Sequence, residues 1–385
     1  MEIFLKTDNS LNGKNLKRND EIDIIKALGI ICMVLGHSGA PFTKFIYLFH
    51  MAVFFIASGF FFKDSSSDSI KSVISLIIKK LKLLWLPYFV WNMVYTLLNN
   101  FFIKINFYTD NPDLMNYVSG KYIRTHAYMS VPEIIKNVIN GALFGGGTEM
   151  GGAFWFLKVL FMVSVSYCIG DFCAKKVFKK SLIFQLIASM ILLAAGYWCF
   201  LNGHGVYSIA QTASFYCLYF IGYFFKLMQS KYQGWNWKQF LPVFFVSFAM
   251  LLILNQLGEI ELAQNYYENP AFLLAASFMG WCFLYSISYF IALLPIKSFF
   301  LGIGKRTLTI VIFHFLSFKL VEIIVVKVYS LPNFCVAAFP NLYGTMGMWW
   351  LAYTVIGVGV PVFLNISFRF LVSKISLLKV RNKTC

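Results

Sequence analysis

The sequence predicts an all-α, polytopic integral membrane protein of about ten transmembrane helices. Three observations carry that prediction. Of 385 residues, 59% are hydrophobic and 13% charged, whereas a soluble domain carries about a quarter charged residues. Apolar runs long enough to cross a bilayer recur along the whole chain. The 33 Lys and Arg are also sorted by side. Most fall in the N-terminal tail, after every second run, and at the C-terminus. Lys44, Lys104, Lys121, Arg124, Lys136 and Lys327 fall on the opposite side. That asymmetry predicts both termini in the cytoplasm.

In order, residues 1–19 read as a cytoplasmic tail, 20–372 as a single membrane-embedded domain, and 373–385 as a cytoplasmic C-terminal tail. The first run has no small-residue cleavage site after it and reads as a retained span. The first two spans cover about 22–39 and 45–62, joined by a short outer turn with Gly39 and Pro41. Residues 63–82, serine-rich and then basic, belong inside. A third span covers 83–103, with Pro87 expected to kink it. The long loop 104–152 lies outside. In it, Ser130, Pro132 and Glu133 read as a helix start with a capping box, and the apolar residues that follow read as a surface helix. The remaining spans are predicted at 153–173, 182–201, 208–228, 240–257, 270–294, 307–328 and 346–370.

The net charge of +17 raises nucleic-acid binding, but the basic residues sit in short connections and no soluble basic domain exists to use them. The eight cysteines show neither metal spacing nor a disulfide framework, so no metal is expected.

The stretch 20–62 concentrates the chemistry. Lys26, His37 and His50 lie inside apolar runs, where ionisable groups are costly and usually functional. Eleven helical steps of about 100° bring Lys26 and His37 onto one face, roughly 16 Å apart along the axis. A cation at one end and an imidazole towards the other suit a long anionic ligand whose reactive end meets the histidine.

Several separated pieces carry a family resemblance. IDIIKALGIICMVLGHS places Lys26 ten residues before His37. FHMAVFFIASGFFFK holds His50 with Ser58 and Gly59. KKLKLLWLPY gives a basic-x-x-basic motif at Lys79 and Lys82. GGAFWFLKVLF carries Trp155, and LGIGKRTLTIVIFHF ends near His314. Together these resemble the membrane-bound acyltransferase family 3, which includes bacterial glycan O-acetyltransferases, with its fucose 4-O-acetylase-like subgroup closest. The sequence departs from the family where lysines replace arginines and where Ala52 replaces the usual proline.

The resemblance implies transfer of an acyl group, usually acetyl from acetyl-CoA, to a sugar hydroxyl of a surface polysaccharide or its lipid-linked precursor, in the bacterial inner membrane. Lys26, Lys79 and Lys82 would then hold the phosphates of coenzyme A, with Lys79 and Lys82 sharing a helix face. His37 would act as general base or as covalent acyl carrier, with His50 and His314 assisting. Plainer readings stand beside these. Lys79 and Lys82 serve equally as topology signals, Asp23 as a mere partner of Lys26, Glu149 as a solvated loop carboxylate, and His126 and His204 as surface residues. The alternative function is a polytopic transporter or flippase for a glycan or lipid intermediate, although no internal repeat supports it.

Overall fold

The computed structural model describes residues 20–118, 125–178, 181–203, 207–232 and 234–381. Helices dominate it. The chain begins with α1 (Asp20–His37), α2 (Thr43–Tyr47) and α3 (Ala52–Phe60). A rod of α4 (Ile70–Lys80), α5 (Leu86–Leu97) and α6 (Asn99–Lys104) follows, and then α7 (Val131–Ala142). Long helices come next: α8 (Trp155–Val177), α9 (Ser181–Leu201), α10 (Tyr207–Tyr232), α11 (Trp237–Leu257) and α12 (Pro270–Ala292). The short α13 (Lys297–Gly304) precedes α14 (Thr307–Val328) and α15 (Trp349–Arg381). Between α11 and α12, strands β1 (Ile260–Glu261) and β2 (Tyr266–Tyr267) pair antiparallel, with Ile260 opposite Tyr267.

Among the described residues, seven segments are long and apolar enough to cross a membrane: Thr43–Phe60, Gly152–Val177, Ser181–Leu201, Trp237–Leu257, Pro270–Ala292, Thr307–Val328 and Trp349–Lys374. The chain is therefore a multi-pass helical membrane protein. The predicted first span fails that test because Asp20, Glu21, Asp23 and Lys26 all lie within the 18 residues of α1.

Burial shows which helices are central. Two thirds of the apolar window of α14 is inside the molecule (67%), against 11% for α15, which presents its surface outward. Ile22, Ile25, Ala27, Ile30 and Val34 of α1 are fully buried, because α1 packs against α3, α12, α13, α14 and α15. Helices α3 and α10 touch backbone to backbone. A Cβ on Gly59 would lie 1.9 Å from the Tyr219 carbonyl oxygen, and one on Gly222 1.8 Å from that of Ile56. Only glycine permits that approach.

The structure differs from the sequence reading in five places. The second span is distorted at 48–51, where the Ile46 carbonyl accepts both the backbone N–H and the ring Nδ1–H of His50. Residues 70–80, read as part of a polar inner connection, form α4, whose Ile70, Ile74 and Ile78 make an exposed apolar stripe. The kink expected at Pro87 is taken up one turn earlier, as the π-helical turn Leu81–Trp85; a wide turn accommodates the N–H that proline lacks. The inner connection before 307 contains α13, whose Gly304 lies against the Asp23 carbonyl. Finally, α15 runs through the expected boundary at 372 to Arg381. The capping box of α7 forms as expected, with Glu133 accepting from the backbone and hydroxyl of Ser130. His204, Lys121, Arg124 and Cys385 lie outside the described residues.

Candidate active site

The histidine end of α1 is built from three segments. His37 is the last residue of α1 and is half-buried, and its backbone carbonyl accepts the side-chain N–H of Asn341 at 2.8 Å. Its ring stacks on His314 of α14, with centroids 5.6 Å apart and planes at 27°, and touches Phe315 at 4.9 Å. His50, from the distorted turn before α3, is buried and lies within electrostatic range of His37. All three histidines named from sequence therefore converge.

Two of these rings have fixed tautomers. His314 sets Nδ1 at 3.0 Å from the Ile310 carbonyl oxygen and 3.1 Å from that of Val311, so Nδ1 must carry the proton. A neutral imidazole protonated there keeps a lone pair on Nε2. That Nε2 is buried and has no hydrogen-bond partner among the described residues. His50 does the same through Ile46, at 3.1 Å. The ring of His37 has no hydrogen bond among the described residues. The site thus holds two acceptor nitrogens beside an imidazole free to meet a ligand, which is a constellation for taking up a hydroxyl proton.

A short loop covers this cluster. Lys319, fully buried in α14, donates to the carbonyls of Val336 and Ala338 at 3.1 and 2.8 Å. One turn on, Glu322 accepts the N–H of Leu342 at 2.9 Å. The loop so held lays Phe339 on Phe315, with centroids 4.6 Å apart, and brings Asn341 to His37. Sequence reasoning missed this role. The signal was there: a lysine and a glutamate three residues apart inside an otherwise apolar helix.

The lysine end of α1 is a pair of adjoining cavities. One, of about 240 Å³, is lined by Lys26, Ser58, Phe61, Leu83, Thr307 and Val311 among others. Lys26 also pairs with Asp23 at 2.6 Å, so the expected partnership and the cavity position coexist. The second cavity, of about 610 Å³, shares Ser58, Phe61 and Leu83 with the first and is lined by Lys63, Lys71, Lys79 and Lys80. Four ammonium groups around one space suit a polyanion. Lys82 lines neither cavity and is exposed. Regular helix spacing would put it beside Lys79, but it falls within the π turn, and Lys80 takes the place beside Lys79 instead. The upper cavity reaches Val311, about one helical turn short of His314.

Behind the larger cavity, a polar network fixes its loop. Buried Asp171 accepts from Ser67 and Ser181 and pairs with Lys175 at 3.2 Å. Asp64 accepts from Tyr223, and from Lys226 at 3.1 Å. Burial opposes ionisation of Asp64, but those hydrogen bonds outweigh it and hold its carboxyl below the ordinary value.

Glu149 and His126 correct the surface reading given to both. They pair at 2.8 Å, with side chains only 5% and 18% exposed, and His126 stacks on Tyr108 at 4.1 Å. Among the described residues no group of three or more His, Cys, Asp or Glu is placed to hold a metal ion.

No curated protein and no solved structure matches the chain. The family model described as an acyltransferase domain matches residues 19–368, nearly the whole length, and the chain belongs to that acyltransferase family.

Proposed function

We propose that this acyltransferase moves an acetyl group from acetyl-CoA to a hydroxyl of a cell-surface polysaccharide or its lipid-linked precursor, in a bacterial inner membrane. The observation that carries the reading is the alignment along α1 of a four-lysine cavity, the adjoining Lys26 cavity and the three-histidine cluster. Coenzyme A is anionic at one end and carries its thioester at the end of a long, flexible arm. Its phosphates fit Lys63, Lys71, Lys79 and Lys80, and the arm follows Lys26 upward. Lys82, exposed and outside both cavities, adds charge without lining the space.

At the histidines, His37 takes the proton of the acceptor hydroxyl, and the oxygen attacks the thioester carbonyl carbon. The carbon–sulfur bond breaks, and the sulfur leaves with the proton that His37 held. His50 and His314 flank it, and their Nε2 lone pairs receive hydrogen bonds from the acceptor or from His37. Adding α1, the α4–α6 rod and α10 to the seven apolar segments gives ten spans. The lysine distribution then favours both termini inside and the histidines towards the outer face. Membrane lipid is the surrounding partner.

The test is mass spectrometry of the surface glycan from cells making wild-type protein, His37→Ala or none. Added mass of one acetyl group with wild type alone is expected. Unchanged glycan mass in all three, with altered polymer export, would replace this reading by the flippase.

A further inference from the structure

A second small cavity, of about 130 Å³, lies beside the 104–152 loop, away from the lysines. Its walls include Asn92, Thr96, Asn99, Tyr108, His126 and Thr148. The lining is rich in amides and hydroxyls, and its one ionisable base, His126, is paired with Glu149. Such a lining favours a neutral, hydroxyl-rich ligand over a phosphate or a cation.

Thr96 shows that the cavity is more than packing space. Several serines and threonines inside the other helices return their hydroxyl to the carbonyl four residues back, as Ser189, Thr212, Ser286 and Ser317 do at 2.5–2.9 Å. Thr96 is 4% exposed, lines the cavity, and has no such bond among the described residues. Nearby, Asn99 spends its Nδ2 on Asn100 and Ala127 and has no donor to its Oδ1. Tyr108 accepts from the Met150 N–H, and its own proton has no acceptor. Glu149 has one buried carboxylate oxygen with no partner. These open positions at the cavity wall offer hydrogen bonds to a ligand, and the buried Glu149 oxygen costs stability while unpaired.

The cavity is joined to the histidines by one turn of chain. Thr148 lines it, and four residues on Gly152 packs against Phe315, which touches His37. From these observations we infer that the cavity is a subsite for one neutral sugar ring of the acceptor, neighbouring the unit that receives the acyl group. The inference rests on the acyl-transfer reading for its purpose but not for its test.

Saturation-transfer NMR on the full-length protein in detergent would use methyl pyranosides of glucose, galactose and fucose, and a de-O-acylated oligosaccharide from the surface glycan. Saturable binding of at least one probe is expected. Thr96→Val, which keeps the shape and removes the hydroxyl, should weaken it about three- to tenfold. Thr96→Ser should restore it, and Asn137→Ala, at the exposed rim, should weaken it independently. No saturable binding of any probe, or equal binding by wild type, Thr96→Val and Asn137→Ala, overturns the subsite. Acyl transfer with an unaltered acceptor KM in Thr96→Val does so while leaving the proposed function intact. Sugar binding that depends on Thr96 without any acyl transfer would do the reverse.

Discussion

The two ends of α1 solve opposite problems with different side chains. Around Lys26, long flexible lysines surround a large, open space and make few fixed contacts. Around His37, rings are stacked, backbone carbonyls fix two tautomers, and a loop is held over them by a fully buried lysine. The first arrangement gathers charge and tolerates movement, because an ammonium is a point charge needing no special angle. The second fixes geometry, as proton transfer requires. In the proposed function, binding and chemistry are therefore separable along one helix.

The sharpest way to break that division is His37→Ala. Transfer should fall by about a hundredfold or more, with the protein still inserted and folded, measured as acetyl incorporated into glycan per unit of protein. Next in size is Lys319→Met. It leaves the Val336 and Ala338 carbonyls without their buried donor and should cost about 2–4 kcal/mol. A lowered thermal midpoint in detergent, with faster proteolysis across 331–345, would register it; an unchanged protein would mean that Glu322, Phe339 and Asn341 hold the loop without the lysine. At the lysine end, the double variant Lys79→Ala with Lys80→Ala should raise the KM for acetyl-CoA about tenfold and leave kcat nearly unchanged. Lys82→Ala should do much less, which separates cavity lysines from merely basic ones.

The smallest effect concerns the loop of the larger cavity. The Asp64 carboxyl is held below its ordinary value, so its contribution is present above that value and is lost as pH falls through the folded one. Comparing the midpoints of wild type and Asp64→Asn from about pH 6 down to about pH 3 should show the difference shrinking in acid.

The division itself was partly legible in the sequence. Lys26 and His37 could be placed on one face because α1 is a regular helix, and the face they share does meet α14, at Thr307 and Val311 for one and His314 for the other. Lys82, by contrast, lies in a π turn that no periodicity records and does not line the cavity with Lys79. The long helices were visible as apolar runs. Helix α4 was not, because its serines and lysines hide a stripe of three isoleucines. The loop over the histidines was also out of reach: Lys319 and Glu322 could be flagged as expensive, but their partners are mainly backbone carbonyls and amides, which no residue type announces. Glu149 and His126 look like surface groups for a similar reason, since their burial depends on Tyr108, a tertiary neighbour.

The most direct test is titration of acetyl-CoA into purified His37→Ala, read against its transfer activity. The account predicts binding close to that of wild type with transfer abolished. Lost binding, or transfer that survives without His37, would contradict the separation of the two ends.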